Sequence, residues 1–244
     1  MLTDRRSHIN SSVHSANSSV DPAHSLVKLV SPSLLGRQLT VEFIGTFVLV
    51  LTVGLATSSK GAGDLAPLAI GSALMVMVFA GGHISGAHYN PAVSLAMLLA
   101  GKLRPRNAAP YVITQLAAGA LAALLVRALV GPATPALLGS DWKILVVELI
   151  FTLALAYVVL NVTVPQATEG NSFYGLAIGF TVVTGAFAVG GISGGAFNLA
   201  VALGGSITGA LTWSHLWIYV LASLLGGGTA AILYAYLHPL PTEE

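Results

Sequence analysis

Twice in this chain a long apolar run stops at a small-residue turn and is followed by an apolar segment too short to cross a bilayer. The first turn reads His83-Ile84-Ser85-Gly86-Ala87-His88-Tyr89-Asn90-Pro91-Ala92-Val93. The second reads Gly191-Ile192-Ser193-Gly194-Gly195-Ala196-Phe197-Asn198-Leu199-Ala200-Val201. Their asparagines are 198 − 90 = 108 positions apart, and the offset reaches beyond the turns. Phe79 falls on Phe187, Gly82 on Gly190, Leu95 on Leu203, Tyr111 on Tyr219 and Gly119 on Gly227. Broken backbone at membrane depth persists only where protein buries it or water reaches it. Two such breaks at corresponding places in two halves predict a passage where the halves meet.

The medium around that passage follows from composition. Hydrophobic residues make up 55% of the 244 positions and charged residues 8%, against about 25% charged in soluble domains. Apolar runs of roughly 20 residues read as membrane spans. Six are expected: Leu39–Ser58, Leu65–Gly82, Tyr111–Val130, Ile144–Leu160, Phe173–Val189 and Leu216–Leu237. The short segments Asn90–Ala100 and Asn198–Ser206 read as re-entrant half-helices. Three crossings separate the two copies, so they must be inverted. The fold class is therefore all-α integral membrane, with six transmembrane helices and two half-helices in two inverted repeats.

Positions 36–130 form the first repeat and 143–238 the second, joined by an extracellular loop at 131–142. Positions 1–35 and 239–244 are expected to be cytoplasmic tails, the first disordered because it is rich in Ser, Asn and His. It holds no apolar core of signal-peptide length. Arg5, Arg6, Lys28, Arg37, Lys102, Arg104 and Arg106 fall on one side, against Lys60, Arg127 and Lys143 on the other. That bias predicts cytoplasmic termini. A net charge of +1 gives no reason to expect nucleic-acid binding, and the absence of Cys excludes disulfides and thiol chemistry.

Acids inside apolar spans default to functional hypotheses. Glu42 and Glu148 occupy corresponding places, 148 − 42 = 106 positions apart. One reading makes them loop braces, accepting hydrogen bonds from amides of the broken turns that have no helical partner. The other makes them titrating sites of a proton-coupled carrier. His83 and His88 flank only the first turn, since Gly191 and Ala196 replace them in the second. They read as pore-edge or packing residues, because further metal ligands or a catalytic acid are missing nearby. Gly119 and Gly227 read as close helix-packing positions. No cofactor and no metal are expected.

Asn is a preferred N-cap, and Pro91 suits the position after it. Each half-helix would aim its positive dipole end at the membrane centre, bringing Asn90, Pro91 and Ala92 to Asn198, Leu199 and Ala200. The two side-chain amides can donate to a passing oxygen. A water held by two donors turns both its hydrogens outward, which breaks a proton-conducting chain, and the converging dipoles disfavour cations. The turns offer carbonyls of Gly86, Ala87, His88, Gly194 and Ala196 as acceptors along the file.

These features resemble the aquaporin, or major intrinsic protein, family over nearly the whole chain beyond the first ~35 residues. The likeness rests on Glu42-Phe43-Ile44-Gly45-Thr46-Phe47, the loop His83–Val93, Gln115 and the second loop Gly191–Ala200. It implies a homotetramer with one pore per subunit, in the plasma (inner) membrane. It also implies passive conduction of water or small neutral solutes. The departures bear on which solutes. The second motif is Asn198-Leu199-Ala200, with Leu where the family usually has Pro. The selectivity filter carried over by position is Ile70, Ala186, Gly195 and Val201, with Val201 where an Arg commonly stands. Losing that Arg removes a fixed charge and several donors, leaving an apolar neck.

The function expected is a channel for water, glycerol, urea, ammonia or hydrogen peroxide, partnered by membrane lipid. A structural, junction-forming protein of low permeability and an ion-coupled transporter are the competing readings. Nothing in the sequence supports an enzyme.

Overall fold

A computed structural model describes residues 33–136 and 138–239. Its α-helices in chain order are α1 Leu34–Ala56, α2 Ala66–Ser85, α3 Pro91–Leu99, α4 Pro105–Val130, α5 Asp141–Thr163, α6 Tyr174–Ser193, α7 Leu199–Thr208 and α8 Leu216–Leu237. No strand occurs among the described residues. Six helices are long and apolar enough to cross a membrane, α2 and α8 each extended by a preceding 3-10 turn. The remaining two, α3 and α7, span Pro91–Leu99 and Leu199–Thr208.

Most helix bounds fall close to the expected spans, and the differences have local causes. Helix α4 begins at Pro105 rather than near Tyr111. Pro105 is well placed at a first helical position, where no N–H is needed, so the polar stretch Arg106-Asn107 becomes helix. Helix α1 begins at Leu34, so residues 34 and 35 of the expected tail are helical. The rest of that tail, with Arg5, Arg6 and Lys28, lies outside the described residues, as does the end of the C-terminal tail. Helix α7 runs to Thr208, two residues past Ser206, where Gly209 ends it at φ 92°.

The packing repeats the sequence offset. Helix α1 packs on α2 and α4 as α5 packs on α6 and α8, while α4 holds α7 and α8 holds α3 across the halves. Small residues permit these crossings. A Cβ on Gly119 would stand 2.7 Å from the Ala200 carbonyl oxygen, and one on Gly227 would stand 2.5 Å from that of Ala92. Each half-helix thus has its first turn seated on a glycine of the opposite repeat. Gly71 and Gly179 meet likewise where α2 crosses α6. Successive spans put the start of α1 and the end of α8 on one face, called the terminal face below, opposite the distal face.

Candidate functional site

The two turns preceding α3 and α7 share one backbone conformation. Gly86, Ala87 and Tyr89 have φ of 85°, 49° and 48°, and their counterparts Gly194, Gly195 and Phe197 have 83°, 63° and 49°. Left-handed backbone at non-glycine residues costs roughly 1–2 kcal/mol each, so something must hold it. Glu42 accepts hydrogen bonds from Ser85 Oγ at 2.7 Å, His88 N at 2.9 Å and Tyr89 N at 2.7 Å. Glu148 accepts from Ser193 Oγ at 2.6 Å, Ala196 N at 3.0 Å and Phe197 N at 2.7 Å. Both carboxylates are buried.

Further braces repeat as well. Tyr111 and Tyr219 hydroxyls donate to the Ser85 and Ser193 carbonyls at 2.8 and 2.6 Å. The sequence had paired these tyrosines and serines without giving them a task. Among the described residues only the first half adds a polar chain. Gln115 Nε2 donates to Glu42 and to Ser94 Oγ, and Ser94 Oγ lies 3.1 Å from His88 Nδ1. The corresponding second-half residues are Ser223, Ala202 and Ala196.

Both asparagines cap their half-helices. Asn90 Oδ1 accepts from Ala92 N and Asn198 Oδ1 from Ala200 N, each at 2.9 Å. Their amide nitrogens cross over: Asn90 Nδ2 donates to the Phe197 carbonyl and Asn198 Nδ2 to the Tyr89 carbonyl, each at 2.8 Å. An amide carries two hydrogens, so each asparagine locks the opposite turn with one and retains the other. Leu199 occupies the first position of α7, and Asn198 holds φ −156° against −155° at Asn90. Replacing Pro with Leu therefore leaves the cap geometry unchanged. Leu199 lies with Pro91 and Ala92 on an apolar groove between α3, α4 and α8.

Asn90 and Asn198 border one cavity of about 270 Å³ that begins beside Thr57, Ala66 and Pro67 on the distal face. Ile70, Ala186, Gly195 and Val201 all border it, together with Ala87, His88, Gly194 and Ala196. Gly86 does not. It borders a second cavity of about 620 Å³ on the terminal face, with His83 and the loop at 164–171. The carbonyls of Gly86, Ala87 and His88, and of Gly194, Gly195 and Ala196, accept no hydrogen bond from the described residues. They are free to serve a ligand, whereas those of Ser85, Tyr89, Ser193 and Phe197 are used internally.

Among the described residues no Asp, Glu, Lys or Arg borders the first cavity. Its walls were not singled out by motif, yet the repeat marks them. Leu49 pairs with Leu155, Val53 with Val159, Ile70 with Ile178, Leu74 with Val182 and Val93 with Val201, and all ten border it. Val201 thus repeats the residue already present three positions after Asn90. The arrangement is a narrow apolar path with carbonyl acceptors and two amide donors at its middle. It can carry a small polar solute.

The family described as major intrinsic protein matches residues 66–234. Aquaporin NIP1-4 of Oryza sativa subsp. japonica is 33% identical over 211 residues, covering 82% of this chain and 77% of the relative. Glycerol uptake facilitator protein-like 6 of Lactiplantibacillus plantarum is 36% identical over 208 residues, covering 80% and 95%. The X-ray structure of the aquaglyceroporin from Plasmodium falciparum aligns with a TM-score of 0.68 at 22% identity, covering 82% of this chain and 95% of that one.

Proposed function

The chain belongs to the major intrinsic protein family, membrane channels for water or small solutes and not enzymes, and on that basis we propose a passive path for water and small uncharged solutes that excludes ions and protons. Glycerol, urea, ammonia and hydrogen peroxide are the solutes meant. The observation that carries this reading is the reciprocal pair of bonds from Asn90 to the Phe197 carbonyl and from Asn198 to the Tyr89 carbonyl. These bonds hold both amides in the wall of one uncharged cavity.

A water or hydroxyl at that level meets one remaining N–H from each asparagine. Accepting both turns its own hydrogens away from the centre, so a proton cannot hop through. The starts of α3 and α7 add their positive dipole ends at the same level, which opposes cations. On either side the unpaired carbonyls of the two turns replace part of the solute's hydration. Ile70, Ala186, Gly195 and Val201 form an outer ring that offers a passing solute no charge and no side-chain donor. Glu42 and Glu148 act as braces of the turns rather than as carriers of protons.

We place the termini in the cytoplasm and the protein in the plasma (inner) membrane as a homotetramer, with membrane lipid around it. The basic bias and the family support that arrangement. Residues 36–130 and 143–238 act as the two inverted halves. Stopped-flow reswelling of proteoliposomes under a glycerol gradient tests the channel. Reswelling faster than in empty vesicles and linear with gradient is expected. Permeability equal to that of empty vesicles would remove the proposal.

A further inference from the structure

The family's positional likeness draws attention to the outer ring, but the cavities point elsewhere. The distal cavity is bordered by Ile70, Ala186, Gly195 and Val201, by Asn90 and Asn198, and by His88 and Ile178. The terminal-face cavity reaches inward to Val78 and Ile178. Ile178 borders both. His88 reaches toward the second: a Cβ built on Gly86 would stand 3.1 Å from its Nε2. The two cavities therefore adjoin at Ile178, with His88 on the first and Val78 on the second.

The repeat supplies an internal control for that junction. Shifted by the offset, its residues become Ala196, Ala186 and Ile70. Those three border an open cavity on the distal side. The two places differ only in His88 for Ala196 and Val78 for Ala186. Both differences add bulk on the terminal side. Nearby matched positions follow suit, with Tyr174 for Ala66 and His83 for Gly191. Leu74 against Val182 is the reverse case.

His88 is also held in place. Its Nδ1 pairs with Ser94 Oγ at 3.1 Å, and its ring lies 5.2 Å from that of Tyr111. Val78 is buried on α2 and Ile178 on α6, on two helices locked at the Gly71–Gly179 crossing. Packing and one hydrogen bond thus hold all three side chains at the junction.

We propose that solute size is selected at this inner ring of Val78, His88 and Ile178, on the terminal side of the asparagine pair, and not at the outer ring. The proposal rests on the channel reading above. A solute entering from the distal face reaches the asparagines before it meets its narrowest passage. One entering from the terminal face is sorted first. His88 adds the only side-chain ring nitrogen at the constriction, so solutes that exchange a hydrogen bond with it pass more readily than apolar ones of equal width.

Vesicle permeabilities for glycerol and water, taken as a ratio, test this. Val78→Ala gives the inner ring the residue found at position 186 and is expected to raise the ratio several-fold. Ile70→Ala widens the outer ring and is expected to raise it less than Val78→Ala does. Ala186→Val in the Val78→Ala background moves the bulk to the distal side and is expected to lower the ratio again. An unchanged ratio in Val78→Ala with a raised one in Ile70→Ala would overturn the inner-ring assignment while leaving the channel intact. Wild-type vesicles no more permeable than empty ones would overturn the channel reading itself.

Discussion

Replacing Glu148 with Gln separates a brace from a titrating site. The carboxylate serves three donors, with Ser193 Oγ and Ala196 N on one oxygen and Phe197 N on the other. Glutamine offers one oxygen. Its better orientation keeps Ser193 and Ala196 and turns an amide hydrogen toward Phe197 N. A buried unpaired donor costs about 1–3 kcal/mol, and Phe197 is already held at φ 49°. Glu148→Gln should therefore lose about 2–3 kcal/mol, and Glu148→Ala, which abandons all three donors, about 4.5–9 kcal/mol at 1.5–3 each for hydrogen bonds to a charged group. The latter rivals the stability of a typical domain, about 5–15 kcal/mol. Thermal unfolding in detergent, followed by light scattering, ranks the variants. Stopped-flow permeability per folded protein gives the second axis. A lower Tm with retained flux per folded Gln variant is expected. An unchanged Tm with abolished flux would refute the brace and restore the carrier.

Three further outcomes follow from the packing and the capping. Gly227→Val should abolish folded yield, because its Cβ would press on the Ala92 carbonyl at 2.5 Å, whereas Gly228→Ala, which faces open space, should be neutral; size-exclusion profiles decide. Leu199→Pro should keep conduction and add about 0.4–1 kcal/mol of stability, since position one of α7 needs no N–H and Asn198 is already extended; a Tm below wild type would contradict this. Asn198→Asp trades the donor aimed at the Tyr89 carbonyl for a negative charge. A reversal potential shifted toward cations is expected in voltage-clamped membranes, and an unshifted one would count against the central-donor account.

The sequence made the architecture legible because its strongest signals were long and repeated. Six apolar runs and two copies of one turn left few other ways to satisfy backbone in lipid. Asn90 and Asn198 were legible as caps, but not as cross-braces. That role depends on each turn's carbonyl facing the other half, which no local pattern encodes. Ser85, Ser193, Tyr111 and Tyr219 repeat faithfully, yet a serine or tyrosine in a span has many bland uses. The cavity walls were hidden differently. Leu49, Val53, Leu155 and Val159 look like any core residues until the 106-position spacing of Glu42 and Glu148 is applied to them. The sequence sets Gly86 among the carbonyls along the file without a depth, and the structure sets it beside the terminal-face cavity.

The central claim is a continuous passive path with an uncharged centre. Its most direct measurement is osmotic water flux across proteoliposomes at several temperatures, with a pH-sensitive dye inside to follow protons in the same vesicles. The account predicts flux above empty vesicles with a shallow temperature dependence and an imposed pH gradient that persists as it does in protein-free membranes. A steep temperature dependence with saturation, or a pH gradient that collapses with protein present, would contradict it.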